Sequence, residues 1–357
     1  MAEFKVAKVV AAVPSPPEKD TLYFVRTGAG FDIYATNGIG EVVAYKLNAA
    51  GVEEAPLDGR AYARKDGGWV VAPSGDPLRD AAEAASGGLM TVRRDAANNA
   101  NYFYKIPKFK CEDIDPSGSL GYGTHPAFIF NDAEDDYILV GAYQASNEAG
   151  RAVSQPGKQP WVSVNFDNAR AACKGNGPGF DIISNLDWAA VALWCMANGF
   201  QPSGNVSSSA ATLTGAGGAP WNHNNLQMGI ADLVGNVWEW CSGLQARNYR
   251  AWLSPNNGKT EDADLINSGF DLPTSRTWST VSNAGASDLV KQSLVAPASG
   301  GMAPNGYLTT STQAAGVAYR GGIWNSGTNA GLAALYLYGA RSSTGTNIGF
   351  RARFRDP

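Results

Sequence analysis

The string Gly229–Gly243, GIADLVGNVWEWCSG, constrains the fold of this chain more than any other stretch. It places two large aromatic residues, Trp238 and Trp240, on either side of one carboxylate, Glu239. Aromatic side chains of this size bury large areas, and a carboxylate among them needs partners. The string therefore predicts a well-filled core. Because Gly, Asn, Ser and Thr crowd the C-terminal two-thirds of the sequence, the connections around that core are predicted to be loop-rich.

Two upstream segments have the pattern of core-facing helices. Asn185–Ala197 repeats apolar residues at helical spacing, with Asn185 as its expected N-cap. Residues 160–175, PWVSVNFDNARAACKG, predict a strand that turns into a helix. Strands are also predicted at Phe103–Phe109 and Tyr137–Tyr143. The expected fold class is α+β.

The N-terminal part has short alternating runs between Gly and Asn turns, which is typical of a β-meander. Strands are predicted at Thr21–Arg26, Phe31–Ala35 and Val42–Leu47, and residues 59–71 predict a hairpin that turns at Asp66-Gly67-Gly68. Such pieces have little core of their own, so we expect oligomerisation or docking to supply burial. The expected domains are a β-rich attachment module, a β-hairpin with linker, and a larger C-terminal domain, at 1–48, 49–90 and 91–357.

The composition excludes several function classes. There are 28 Lys and Arg against 32 Asp and Glu, giving a net charge of -4, and no basic stripe, so we expect no nucleic-acid partner. No apolar run approaches the ~20 residues that a bilayer requires, so we expect no membrane insertion. Four cysteines and two histidines, His125 and His223, leave little for a disulfide framework, a histidine metal site or a Ser/His/Asp triad.

Four motifs occur in order: PWVSVNFDNARAAC, NLDWAAVALW, GNVWEW and a C-terminal stretch from Tyr319, YRGGIWNSGTNAGLAALYLYGARSSTGTNIGFRARF. Together they resemble the formylglycine-generating-enzyme type of C-type lectin fold, over about residues 100–357. The first 72 residues resemble the virion-proximal ends of phage tail-fibre and receptor-binding proteins. The resemblance implies a C-type lectin fold of this subtype, preceded by small N-terminal β-rich modules.

This family contains oxidases and ligand-binding proteins. The oxidases carry reactive cysteines in the C-terminal motif, whereas Tyr319–Phe354 contains no cysteine here. A thiol mechanism then has no nucleophile in that motif, so we expect no enzyme activity, with an oxidase kept as the weakest alternative. The resemblance points to the other branch, the variable proteins of diversity-generating retroelements, in which a hypermutated segment forms the ligand-binding face.

In such systems, adenines are copied inaccurately, so AAY asparagine codons become codons for other residues without creating stops. The family pattern is RGGxWNNG…NAGL…NLNNARSN…NIGFR, and the matching variable region here is about residues 320–350. Seven residues in it are reachable from an Asn codon by adenine changes alone: Ile323, Ser326, Tyr336, Tyr338, Gly339, Ser343 and Gly345. Adenine-containing codons also give Thr328, Asn329, Ser342, Thr344, Thr346 and Asn347.

Varied and supporting positions should alternate, because a tolerant surface needs a backbone whose packing does not depend on it. In a strand, Tyr336 and Tyr338 would share one face and Leu335 and Leu337 the other. We expect these two tyrosines to carry most of the binding energy, with Trp324 as a supporting contact. The predicted support is apolar: Leu332, Ala333, Ala334, Leu335, Ala340, Ile348 and Phe350.

The GNVWEW motif has two interpretations. The resemblance implies a calcium site, for which Asn236 and Glu239 would be the side-chain ligands, since calcium prefers oxygen. Alternatively, Glu239 accepts hydrogen bonds from buried groups beneath the binding face. No cofactor is expected to be required in either case.

The resemblance implies a tail-fibre tip adhesin that is made in the bacterial host cytoplasm and carried on the virion. Its partners would be a protein or glycan receptor on the host surface and, through the N-terminus, phage tail or baseplate components. Because tail-fibre relatives are homotrimers, a homotrimer is expected. The alternative is a bacterial or prophage-encoded variable ligand-binding protein without a virion.

Overall fold

The structure is a computed structural model. It describes residues 6–27, 30–44, 62–65, 68–71, 74–298, 304–310 and 316–356. The chain divides into two compact units, Met1–Pro73 and Ser74–Pro357. Within the described ranges, no helix is both long and apolar enough to cross a bilayer.

The first unit consists of a four-stranded sheet and a separate hairpin. The sheet has the order β1-β2-β3-β4, in which β1 is parallel to β2 and the other pairs are antiparallel. Tyr23, Val25 and Ala35 are its buried apolar residues among the described side chains. The strands are β1 Val6–Val10, β2 Thr21–Thr27, β3 Gly30–Thr36 and β4 Val42–Ala44, and the hairpin pairs β5 Tyr62–Lys65 with β6 Gly68–Val71.

The predicted meander and hairpin are confirmed as strands. Two details lie outside the described residues: the end of the third predicted strand at 45–47 and the turn residues Asp66 and Gly67. The structure adds β1, whose register pairs Val6 with Thr21.

The second unit is a mixed α+β structure, as predicted. Its helices are α1 Pro77–Ala85, α2 Cys111–Ile114, α3 Phe166–Lys174, α4 Asn185–Ala197 and α5 Asp288–Gln292. Its strands are β7 Met90–Arg94, β8 Ala100–Pro107, β9 Ile129–Phe130, β10 Ala133–Glu134, β11 Tyr137–Gly141, β12 Ser146–Glu148, β13 Arg151–Val153, β14 Phe180–Ile182, β15 Trp238–Arg247, β16 Arg250–Leu253, β17 Ile266–Asp271, β18 Ser275–Thr277, β19 Tyr307–Thr310, β20 Gly316–Gly321, β21 Gly331–Leu337, β22 Ile348–Phe350 and β23 Ala352–Phe354.

Two main sheets organise this unit. The smaller has five strands in the order β14-β23-β11-β8-β7. The larger has eight strands in the order β17-β16-β15-β20-β21-β19-β18, with β22 also pairing in parallel with β15. The last strands, β22 and β23, therefore belong to different sheets and are separated only by Arg351.

Local signals at the two main helices were partly misassigned from the sequence. The N-cap of α4 is Ser184, not Asn185: Ser184 Oγ accepts from Asp187 N at 2.9 Å, and Asp187 accepts from Ser184 N at 3.0 Å. This reciprocal pair is a capping box, which outcompetes the neighbouring Asn. Before α3, residues 160–165 form an irregular segment and not the predicted strand, because Ser163 has φ +59° and turns the chain.

Two clusters of buried side chains fill the unit. The larger includes Trp188, Leu335 and Leu337, and the smaller includes Trp240, Tyr319 and Phe350. Strand β21 contributes to both, because successive side chains of a strand point to opposite faces. The candidate site lies where the smaller cluster reaches the surface.

Candidate functional site

Strand β21 shows the predicted alternation. Leu335 and Leu337 are fully buried, whereas Tyr336 is half-buried and Tyr338, just past the strand, is 50% exposed. The apolar side chains face the larger core and the tyrosines face outward. This prediction from the sequence is confirmed.

A row of aromatic residues crosses three strands beneath these tyrosines. The register pairs Trp240 with Tyr319 and Tyr319 with Tyr336. The rings of Tyr319 and Tyr336 are stacked, with centroids 5.3 Å apart and planes 10° apart. The rings of Tyr319 and Trp240 meet edge to face, with centroids 4.1 Å apart. Such cross-strand ring pairs stabilise a sheet, so Tyr336 rests on a fixed base.

Trp238 lies beside this row, near the surface. Its ring is 5.7 Å from that of Tyr336 and 6.4 Å from that of Tyr319. Trp238 and Trp240 share one face of β15, but Trp240 is fully buried and Trp238 is half-buried. The aromatic row therefore continues from the core to solvent.

These side chains line an open depression of about 440 Å³. Five of its nine lining residues are positions predicted to vary: Tyr336, Tyr338, Gly339, Ser343 and Asn347. The others are Trp238, Tyr319, Ala340 and Ile348. None of the nine is charged, and burial raises the pKa of Tyr319 to about 12, so its phenol is neutral.

A second group of predicted positions lies in the loop after β20. Ile323, Ser326 and the supporting Trp324 are half-buried, whereas Thr328 and Asn329 are exposed. The structure does not place these residues among those that line the depression. The backbone N–H of Ile323 donates to Ser326 Oγ at 3.0 Å, so Ser326 also shapes its own loop.

The segment 236–238 joins the two groups. Trp324 N donates to Asn236 O at 3.1 Å, and Trp238 N donates to Asn347 O at 2.9 Å. Segment 236–238 is thus hydrogen-bonded at one end to the loop after β20. At its other end it is bonded to the loop after β21. Most predicted variable positions are brought to its two sides.

Residues outside the varied set hold the loop 338–347. Arg341 pairs with Asp262 at 2.7 Å and with Asp167, and its guanidinium lies 4.5 Å from the ring centre of Phe166. The backbone N–H of Ser163 donates to Gly345 O at 2.9 Å. In this loop Ser342, Thr344 and Thr346 are exposed and Gly345 is half-buried. The loop is thus positioned by contacts that do not involve its exposed side chains.

The GNVWEW motif does not fit a calcium ion. Both oxygens of Glu239 accept from Arg351, at 2.7 and 2.9 Å, and one also accepts from Gln144 Nε2 at 2.9 Å. The Asn236 amide is bonded to Gln144, Asn205 and the backbone of residue 212. A buried guanidinium already neutralises the carboxylate and would repel a dication. In the part of the chain that the structure describes, no group of three His, Cys, Asp or Glu side chains is arranged to hold a metal.

The cysteines are buried and far from ionisation. Burial raises the pKa of Cys111 to about 12 and also raises those of Cys173, Cys195 and Cys241. All four are free thiols. Because the thiolate is the reactive form, these residues are core side chains.

Comparisons with known proteins gave matches only among solved structures. No family model and no curated protein matches the chain. Treponema denticola variable protein 1 is similar at 13% identity and a TM-score of 0.36, over 75% of this chain and 99% of that one. The U1 variant of Major Tropism Determinant is similar at 12% identity and a TM-score of 0.33, over 99% and 98%. PvdO from Pseudomonas aeruginosa is similar at 16% identity and a TM-score of 0.36, over 74% and 97%. A variable protein and a tropism determinant are thus among the structures to which the chain is similar, as the sequence resemblance predicts.

Sequence reasoning missed four residues of the depression. Trp238 and Tyr319 belong to two of the sequence motifs, but nothing in the local sequence shows that their strands lie close to β21. Ala340 and Ile348 were predicted as buried support, but both are half-buried in the lining. Ala340 lies in the loop after β21 and Ile348 begins β22, so the alternation of β21 does not predict the exposure of either.

Gly339, one of the predicted variable positions in the lining, lies close to Tyr319. A Cβ at this position would lie 1.6 Å from Tyr319 Oη and 2.4 Å from its Cζ. Tyr319 cannot retreat easily, because it is 2% exposed and packed between Trp240 and Tyr336. Gly339 therefore serves as a spacer for Tyr319, although its codon is reachable by adenine changes.

We expect Gly339→Ala to lower the free energy of unfolding by about 1–3 kcal/mol, the usual range for an overpacked site. Gly345→Ala is the matched control, because its new Cβ meets only the side chains of Asn347 and Ile348. The control should change stability by no more than about 0.5 kcal/mol. Urea denaturation of both variants measures the difference, and equal midpoints would show that Tyr319 moves freely.

Proposed function

We propose that this chain is a variable receptor-binding protein whose second unit, a C-type lectin fold of the formylglycine-generating-enzyme subtype, presents the depression to a receptor. One observation carries the proposal: side chains at positions predicted to vary line the depression, while the ion pairs of Arg341, its contact with Phe166 and main-chain hydrogen bonds hold the loop behind them. This separation lets side chains change without loss of the fold. The receptor is a protein or glycan on a host cell.

The finer proposal is a tail-fibre tip adhesin carried on a phage virion. The N-terminal β-rich modules, 1–48 and 49–90, would attach to tail or baseplate components, and the chain would form a homotrimer. The few buried apolar side chains in the described part of the first unit, and the exposure of Val9 and Ile39, support further burial in an oligomer. Sedimentation equilibrium of the full chain tests this, and a monomer at micromolar concentration contradicts the trimer.

The protein is proposed to act without enzyme chemistry. Its cysteines are buried with raised pKa values, so no described thiol is available as a thiolate. The alternative of a bacterial or prophage-encoded binder without a virion shares the same face and chemistry. Detection of the chain in purified phage particles would support the tail-fibre adhesin, and its absence from them would favour the binder without a virion.

The experiment that tests the proposal compares two displayed libraries of the full chain. One randomises Tyr336, Tyr338, Ser343 and Asn347 in the depression. The other randomises four exposed positions of α1: Leu78, Ala81, Ala84 and Ala85. Both are selected against the same purified proteins, for example egg-white lysozyme and streptavidin. Specific binders from the first library alone support the proposal, and equal yields from both contradict it.

We expect Tyr338→Ala to weaken binding of the natural receptor by about 2 kcal/mol, or roughly thirtyfold, because interface energy concentrates in a few aromatic anchors. Tyr338 is half exposed and borders the depression, so it is free to make that contact. Affinity is measured with the full-length protein immobilised and a monovalent receptor in solution. In the reverse arrangement, avidity would hide the loss. Tyr122→Ala, at a tyrosine 78% exposed and outside the depression, is the control and should bind normally.

A further inference from the structure

Trp238 lies on a strand that no retroelement template of the predicted region would encode. Its position is more than eighty residues before the variable segment, in the GNVWEW string. Yet it lines the same depression as Tyr336 and Tyr338, and its ring contacts that of Tyr336 at 5.7 Å. An aromatic side chain from outside the predicted region therefore lies beside five positions that are predicted to vary.

The neighbouring Trp240 shows what a purely structural tryptophan looks like here. Trp240 is fully buried, its indole N–H donates to Val164 O at 3.1 Å, and Phe166 and Tyr319 pack against its ring. Trp238 is half-buried and borders open space. The two residues lie two positions apart on one face of β15, where Trp240 supports the core and Trp238 reaches the site.

The backbone around Trp238 keeps its place when the varied loops change. Its N–H donates to Asn347 O, and its strand pairs with β22 in a register that puts Trp238 opposite Ile348. Both are main-chain contacts, which do not depend on side-chain identity. Beneath it, Glu239 is held by Arg351. The backbone that carries the indole is thus held by contacts that do not depend on the side chains at positions 336, 338, 343 and 347.

We propose that Trp238 is an invariant anchor of the binding face, which contacts the ligand in every variant and takes an uncharged apolar or aromatic side chain of a protein partner. This inference rests on the proposed function. The ligand class follows from the lining: none of the nine residues is charged, and Ile348 and Ala340 add aliphatic walls beside the four aromatic side chains. The rings also touch one another, with centroids 5.7 to 6.4 Å apart, so they form a continuous surface and leave no cage for a cation between them.

The test uses binders selected from the depression library against lysozyme, streptavidin and a neutral polysaccharide, dextran. In each binder, Trp238 is replaced by Ala, Leu and Phe, and Trp161 by Ala as the matched control. Trp161 is also half-buried and packs on Phe350 at 5.5 Å, but it does not line the depression. Affinity is measured on full-length protein whose thermal melt remains cooperative.

We expect Trp238→Ala and Trp238→Leu to weaken every protein-directed binder at least tenfold, whichever side chains were selected. Trp238→Phe should stay within threefold and Trp161→Ala within twofold. Trp238→Leu keeps apolar volume, so it decides the outcome if the alanine variant does not fold. Binders that tolerate both Ala and Leu within twofold would overturn the anchor, and binders to dextran alone would overturn the ligand class. A library that yields no binders at all would instead refute the proposed function.

Discussion

Arg351→Met should lower the free energy of unfolding by about 3–5 kcal/mol, because removing one partner of a buried ion pair leaves the other charge without compensation. Arg351 and Glu239 have side chains 0% and 1% exposed. Besides both carboxylate oxygens, the guanidinium donates to Gly141 O and Ala231 O, each at 2.8 Å. One side chain therefore ties strand β11, the segment before the GNVWEW motif and strand β15 together.

The measurement is urea denaturation followed by tryptophan fluorescence, with Arg355→Met as the control. Arg355 pairs with Asp135 on the same C-terminal segment, but their side chains are 45% and 24% exposed, so its loss should cost only about 0–1 kcal/mol. Replacing both Arg351 and Glu239 by Met should recover part of the loss, since no lone buried charge remains. Equal midpoints for Arg351→Met and Arg355→Met would show that water reaches Glu239.

Acid should destabilise the protein through its two histidines. Burial lowers the pKa of His125 to about 4 and that of His223 to about 3, from 6.5 in the unfolded chain. Below pH 6.5 the unfolded chain binds protons that the folded chain refuses, so the stability present above pH 6.5 falls as the pH drops. Over the interval from pH 6.5 to 4, each histidine removes about 3 kcal/mol.

Asp232 acts in the opposite direction. Burial raises the pKa of Asp232 to about 6, whereas the carboxyl of the unfolded chain has a pKa of 3.8. Between these two pH values, the folded state holds a proton that the unfolded state has already released. This adds about 3 kcal/mol as the pH falls through that window and offsets one histidine. The expected net loss between pH 7 and pH 4 is therefore about 3 kcal/mol.

Urea titrations at pH 7, 5.5 and 4 measure this dependence. His125→Asn keeps an acceptor for the Ala127 N–H that His125 Nδ1 now receives at 3.2 Å, but it cannot titrate, so its stability should change little with pH. Asp232→Asn removes the opposing group and should steepen the acid loss. A wild-type slope that persists in His125→Asn and in a matching His223 variant would assign acid lability to other groups.

The sequence predicted those parts of the site that depend on local pattern. The alternation of Tyr336 and Leu335 follows from the period of a strand, whereas the varied positions remain a prediction from codon chemistry. The sequence did not predict the order and register of the strands. Trp238 reaches Tyr336 only because β15, β20 and β21 are neighbours in the sheet, and this long-range pairing is not encoded in any local string. The close approach of Tyr319 to Gly339 was equally out of reach, since codon reasoning carries no information about the space around a residue. Similarly, the calcium interpretation of Glu239 depended on a partner, Arg351, that lies 112 residues away.

The position of β22 and β23 after the varied segment matters for how such a protein is made. The ribosome synthesises the chain from its N-terminus, so these two strands emerge after the positions predicted to vary. Until they do, β15 lacks its parallel partner, β11 and β14 lack the strand between them, and Glu239 has no cation. A frameshift in the segment predicted to vary would remove these elements, and its product is expected to stay unfolded and open to proteolysis. Under the proposed function, a diversified gene therefore yields a folded protein only if its reading frame is kept through β23.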